Sequence, residues 1–233
     1  MITDRDKERG RINIAIDGPA GAGKSTVARE VAERLDYIYI DTGAMYRAVT
    51  LFAFRNDIEP EDKPRLAELI SRLQIELQPG KDGQKVYVDG ENVTDAIRSR
   101  EVTLRVSGIA AVDAVRKRLV DMQRTLAARK GVVMDGRDIG THVLPDAELK
   151  VFLTASVQIR AERRFEEIKH KQRVSIEELE KEIAERDRMD QEREISPLIC
   201  AADAKVIDSS TLTIEQVVQQ IIELSRTKLT EEK

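Results

Sequence analysis

A chain of 233 residues, 41% of them hydrophobic, has the length of one large domain or of one domain with insertions, and it holds enough apolar material to exclude disorder as its main state. Its 39 basic and 43 acidic residues leave a net charge of −4, which argues against a nucleic-acid or anionic-membrane protein, and 3% aromatics without Trp argue against base-stacking platforms. One cysteine, Cys200, excludes an internal disulfide framework, and no apolar run approaches the ~20 residues of a membrane span. Residues 1–9 lack the apolar stretch of a secretory signal, so a soluble cytoplasmic protein is expected. Among the basic residues 25 are Arg and 14 Lys. The planar arginine fork suits carboxylate and phosphate oxygens, although ion pairing on helix surfaces accounts for any single one of them.

In chain order, residues 1–9 read as a charged, frayed tail. A short β-like run at 12–16 ends in Asp17-Gly18, and similar runs follow at 37–41, 132–135, 149–153 and 204–208. Helix-like stretches lie at 24–35, 44–56, 101–130 (with a break expected near Gly108 or Asp113), 156–170, 175–194 and 213–228. In the last of these Ile214, Val217, Val218, Ile221, Ile222 and Leu224 keep helical spacing behind Thr213 as N-cap. Strands separated by helices predict βαβ crossovers, hence an α/β protein with a parallel sheet covered by helices.

Two segments break the alternation. Residues 74–95 alternate in polarity and carry turn pairs at Pro79-Gly80 and Asp82-Gly83, with Gly90 following, as a small antiparallel insert would. Residues 160–194 hold 10 basic and 12 acidic residues in 35 positions. That composition predicts two solvated helices joined near 171–175, either a mobile flap or an exposed hairpin.

Gly18-Pro19-Ala20-Gly21-Ala22-Gly23-Lys24-Ser25 satisfies G-x-x-x-x-G-K-[ST] in full, after an apolar strand and before a helix. Glycines let successive N–H groups turn inward on an anion, and the helix N-terminus adds positive potential. Lys24 is expected on the β/γ-phosphates and the Ser25 hydroxyl on Mg²⁺. None of the three Asn is followed by Lys, so the guanine-reading Asn-Lys-x-Asp is absent, and so is Leu-Ser-Gly-Gly-Gln. Small-molecule kinases remain.

The second run opens directly into Asp41-Thr42-Gly43-Ala44-Met45-Tyr46-Arg47, and the third ends Asp135-Gly136-Arg137-Asp138-Ile139-Gly140. Strand ends are where open α/β sheets place ligands. A capped, partly buried helix start explains Thr42 as well as an anion site does. On these motifs, with Arg186–Arg193, Ser196-Pro197-Leu198 and Ala202-Asp203-Ala204, the chain resembles the bacterial cytidylate kinases, from about residue 12 to 226.

The resemblance implies a P-loop NTPase fold with a five-stranded parallel core in 10–62, 100–155 and 196–230. It also implies an NMP-binding insert at 63–99, and a lid with a helical hairpin at 156–195. It further implies that the P-loop through Thr26 binds ATP, with Arg160, Arg163 and Arg164 closing over the triphosphate. Thr42, Tyr46, Arg47 and Arg137 are then expected on the monophosphate. Ser107, Arg116 and Asp138 would read the cytosine edge. Arg186 and Asp190 would meet the sugar, and Arg193 would neutralise phosphate charge. Thr42 replaces a Ser found in some members and keeps the hydroxyl.

Without the resemblance Arg116 reads as a helix-surface residue. Arg186 and Asp190 read equally well as a surface ion pair.

The reaction so implied moves the γ-phosphoryl group of ATP to CMP or dCMP, with Lys24, Arg137, Arg163, Arg193 and Mg²⁺ balancing charge. A nucleotide phosphate is largely dianionic at neutral pH and requires no general base. His142 and His170 are accordingly expected to be packing or surface residues, and Asp135 is the best candidate for a water-bridged Mg²⁺ contact. Closure of insert and lid over both substrates is expected, because an open site would lose phosphoryl groups to water. Partners are expected to be small molecules only, with the chain a monomer. Kinases of UMP, AMP or shikimate, and a non-catalytic nucleotide sensor, are the alternatives.

Overall fold

The computed structural model describes residues 10–80, 83–170 and 173–231. The tail expected at 1–9 and the turn positions at 82 and 171 lie outside the described residues. In chain order the elements are β1 (Asn13–Asp17), α1 (Lys24–Leu35), β2 (Ile38–Asp41), α2 (Thr42–Arg55), α3 (Lys63–Arg72), β3 (Ile75–Gln78), β4 (Lys85–Val88) and β5 (Glu91–Asn92). There follow α4 (Arg100–Ala110), α5 (Asp113–Ala127), β6 (Val132–Gly136), β7 (Leu149–Thr154), α6 (Val157–Ile168), α7 (Ile176–Gln191), β8 (Lys205–Asp208) and α8 (Ile214–Glu231). The packing divides into a first unit within Met1–Tyr39 and Lys130–Lys233, and a second unit, Ile40–Arg129.

Five strands form a parallel sheet in the order β2-β6-β1-β7-β8. All five β-like runs read from the sequence are strands in it. In its register Ile16 lies opposite Asp135 and Asp17 opposite both Gly136 and Phe152. The carboxyl ends of β1, β6 and β7 therefore finish level, and whatever follows them shares one edge. Every residue of β6 is buried, as a central parallel strand requires.

The core of the first unit joins Ile12, Ile14 and Ile16 to Val133 and Val151 of the sheet, Val27 and Val31 of α1, and Val217, Val218, Ile221 and Ile222 of α8. The 3–4-residue spacing that predicted the last helix is thus the spacing of its buried face. Each such side chain contributes roughly 1.5–3 kcal/mol by leaving water.

In the first unit α6 and α7 pack on each other through Ala161, Ile168, Leu179 and Ile183. Ser175 closes a capping box with Glu178 at the start of α7. The expectation that 160–194 is wholly solvated needs correction: Arg160, Asp187 and Asp190 are buried. Composition averaged over a segment does not reveal which charges the helical period turns inward.

The second unit has its own core, running from Ala44 to Leu119. The Asp41 carboxylate accepts from Ala44 N at 2.8 Å and so caps α2, which starts at Thr42 rather than at 44. Helix α3 was not foreseen, although Asp62 caps it and Pro64 sits in its first turn. The long helical pattern breaks at Ala111–Val112, within the bracket expected. Strands β3, β4 and β5 form the small antiparallel sheet, with Ile75 opposite Val88 and Leu77 opposite Val86. Among the described residues no helix is long and apolar enough to cross a membrane.

Candidate nucleotide-binding site

The loop between β1 and α1 is shaped by backbone that only glycine adopts. Gly18 has φ +150°, and a Cβ there would lie 2.0 Å from the carbonyl oxygen of Leu153 on β7. Gly23, at φ +87°, is the left-handed N-cap from which α1 starts without a side-chain cap. The first N–H groups of α1 are therefore not taken by a capping side chain, the arrangement that makes a helix start an anion site.

The Lys24 ammonium donates to Pro19 O at 2.7 Å and is buried. Burial, and then the positive charge of Arg137, lower its pKa well below the usual lysine range; Arg186 adds to this, and Asp135 and Asp17 oppose it. Three cations thus converge behind the loop. Ser25 Oγ donates to Asp135 Oδ2 at 2.9 Å, and the Tyr39 hydroxyl donates to Asp135 Oδ1 at 2.9 Å. A hydroxyl beside a fixed carboxylate is a hard oxygen pair of the kind Mg²⁺ takes, together with substrate phosphates.

After β6, Arg137 Nε donates to Asp190 Oδ2 at 2.8 Å, both side chains largely buried. Burial acts against the Arg137 charge, but the carboxylates of Asp190 and Asp135 outweigh it and raise its pKa. Burial likewise acts against ionised Asp190, and Arg137, Arg186 and Arg193 outweigh it, holding that carboxyl below its usual range. The backbone following Asp138 makes one π-type turn, Ile139–Val143, held from below by Asp17. Its Oδ1 accepts from Ile139 N at 2.8 Å and its Oδ2 from Gly140 N at 2.7 Å. Burial pushes the Asp17 carboxyl up to about 6 although both N–H donors work the other way.

The remaining lid arginines are engaged with protein. Arg163 Nη2 donates to Ser209 O at 2.6 Å, and Arg164 pairs with Glu167 at 2.9 Å.

The second unit gathers the other expected residues among α2, α4 and α5. Arg116 stacks on Tyr46 with its guanidinium carbon 5.6 Å from the ring centroid, and its Nη1 donates to Ala110 O at 3.3 Å. At 2% exposure Arg116 is not the surface residue that spacing alone suggested. Arg47 Nη1 donates to Thr103 Oγ1 at 2.8 Å, one turn before buried Ser107 on α4. Thr42 is buried in the first turn of α2, as a helix start would have it.

Residues 14–227 match the cytidylate kinase family. Over 214 residues the chain is 55% identical to a cytidylate kinase of Bacillus subtilis (strain 168), covering 91% of this chain and 96% of that protein. It is 55% identical over 216 residues to one of Exiguobacterium sibiricum, covering 92% and 97%. The chain belongs to the cytidylate kinase family. An uncharacterized protein from Eubacterium ventriosum, 14% identical, superposes with a TM-score of 0.53 over 93% of this chain and 99% of that one, a likeness of fold.

For this cytidylate kinase family member the first unit brings together the P-loop, Lys24, Ser25, Arg137, Asp138, Arg186, Asp190 and Arg193, and the second unit brings together Thr42, Tyr46, Arg47, Ser107 and Arg116. Sequence reasoning gave no role to Asp17, Tyr39 or Asp187. The strand-end position of Asp17, directly before the motif, was the available signal for the first. The partner of Tyr39 lies 96 residues away, and nothing local announces it.

Proposed function

We propose that this chain transfers the γ-phosphoryl group of ATP to the 5′-phosphate of CMP or dCMP, giving ADP and CDP or dCDP. Membership of the cytidylate kinase family is the observation that carries this reading. The cationic cluster of Lys24, Arg137 and Arg186 behind a glycine-shaped loop supports it, because bringing two polyanions together is the main electrostatic obstacle to the reaction. The incoming phosphate is already a nucleophile near pH 7, since its second pKa is about 6. Lys24 and the α1 N–H groups hold the triphosphate, and Arg137, oriented by Asp190, meets charge at the transferring group. Arg186, Asp190 and Arg193 are proposed on the acceptor's sugar and phosphate. Thr42, Tyr46 and Arg47 are proposed on its phosphate, and Ser107, Arg116 and Asp138 on its base. Arg163 and Arg164 are proposed to turn from their protein partners to the triphosphate. Ser25, with Asp135 through water, would hold Mg²⁺, which supplies charge neutralisation between the β- and γ-phosphates.

A panel of CMP, dCMP, UMP, AMP and shikimate with ATP tests the reading. CMP and dCMP should lead clearly. ATP bound without ADP formation on any acceptor would instead favour a nucleotide sensor.

A further inference from the structure

Two buried charges in the first unit have no place in the charge balance described above. Arg160 on α6 and Asp187 on α7 are 3% and 8% exposed, and pair Nη1 to Oδ2 at 2.7 Å. A buried ion pair is by itself weak evidence of anything, since apolar replacements often serve as well. This pair, however, closes on one residue of the phosphate loop from both sides. Arg160 Nη1 donates to Ala20 O at 2.8 Å, and Asp187 Oδ1 accepts from Ala20 N at 3.3 Å. Arg160 Nε is anchored in turn on Ala155 O at 2.9 Å, just past the end of β7. A Cβ on the next loop residue, Gly21, would lie 3.3 Å from Arg160 Cβ, so the loop backbone runs directly over the arginine stem.

The consequence for the loop is specific. Pro19 has no N–H, and the N–H of Ala20 is taken by Asp187, so neither is offered to a phosphate. Pro19 O is held by Lys24 and Ala20 O by Arg160. The first half of the loop is thereby fixed by side chains, and the second half, from Gly21 into α1, is the part turned to an anion. Helix α7 also carries Asp190, which orients Arg137. One helix therefore sets both the loop and the arginine facing the transferring group.

We infer that Arg160 and Asp187 are positioning residues for phosphoryl transfer: they fix the Ala20 backbone, and with it the curvature of the phosphate loop, without touching nucleotide themselves. This rests on the kinase reading above and departs from the resemblance in one respect, since it removes Arg160 from the groups that close over the triphosphate.

The test is a double-substitution cycle with Arg160→Gln, Asp187→Asn and the pair together, read by calorimetric titration of ATP and of CMP and by steady-state kinetics. Each single change should weaken ATP binding about tenfold and lower kcat by about 10- to 100-fold, the scale of a small misplacement of reacting groups. CMP binding should stay within about twofold, as for an independent site, and the double variant should be no worse than the poorer single one. Effects that multiply in the double variant, or an Arg160→Gln loss that Asp187→Asn does not share, would assign Arg160 to the triphosphate directly and overturn the proposal. Arg160→Lys keeps a charge opposite Asp187 and guards against misfolding. It should melt near the wild-type temperature yet bind ATP with intermediate affinity, and wild-type affinity in it would count against the fork's role. If the wild-type protein binds ATP but leaves CMP unphosphorylated, the kinase reading fails, and the ATP titrations still decide the positioning role.

Discussion

Asp17→Asn isolates the energetics of the carboxylate beneath the turn that follows Asp138. In the folded protein burial raises this carboxyl from an ordinary 3.8 to about 6. A raised folded-state value means that the native state binds the proton more tightly than the unfolded chain does. The associated stability is therefore full below about pH 4, declines as pH rises, and is lost above about pH 6. At ~1.4 kcal/mol per pKa unit the loss amounts to about 3 kcal/mol. The asparagine does not titrate, but its single carbonyl oxygen serves only one of the two N–H donors now bound at 2.8 and 2.7 Å, and its own N–H₂ faces the other. That offset is about 1–3 kcal/mol and independent of pH. Urea unfolding of both proteins at pH 4.5, 5.5, 6.5 and 7.5 reads the difference directly. The wild type should lead at pH 4.5, and the variant should gain on it by up to about 3 kcal/mol, levelling above pH 6.5. A difference that is flat across this range, or a wild type that gains as pH rises, would refute the reasoning.

Further outcomes follow from the same geometry. Gly18→Ala sets a Cβ against Leu153 O and should destabilise the fold by about 3 kcal/mol or more, seen as a lowered melting temperature. Lys24→Ala should reduce phosphotransfer by about 10²-fold or more. It should leave CMP affinity measured without ATP essentially intact, and unchanged turnover would remove the P-loop assignment. Asp135→Asn weakens the carboxylate that Ser25 and Tyr39 orient. Its activity should require roughly tenfold more Mg²⁺ to reach half-maximum, and an unshifted Mg²⁺ titration would exclude Asp135 from metal binding. Arg116→Met should raise the CMP KM by about tenfold with little change in the ATP KM, and equal changes in both would deny it a role at the base.

Much of the fold was legible because its signals are local. The five apolar runs, the glycine loop between the first run and its helix, and the alternating insert each depend on residues within a dozen positions of one another. Helix α3 was legible in principle, since Asp62 and Pro64 mark its start and Leu66 and Ile70 its buried face. It was missed because it is short and flanked by polar connections. What the sequence withheld were pairings that only the register of the sheet creates. Asp187 lies 167 residues from Ala20, and Asp17 lies 122 from Ile139. No spacing rule reaches across such distances. The buried Arg160 and Arg116 were misjudged for a related reason: a long charged side chain is expected at a surface unless its acceptors are known.

The connectivity of the sheet bears on how the molecule assembles. Strand β1 pairs with β6, and Ser25 bonds Asp135 across 110 residues of intervening chain. Closing so large a loop from an extended coil costs about 4 kcal/mol in chain entropy before any pairing offsets it. Nearly all of that loop is the second unit, a continuous stretch with its own apolar core. Early collapse of 40–129 would shorten the tether, so the inserted segment acts as the pacemaker for the sheet that flanks it. Its destabilisation should slow refolding of the whole chain more than an equal loss in α8, whose link to its neighbour β8 is short.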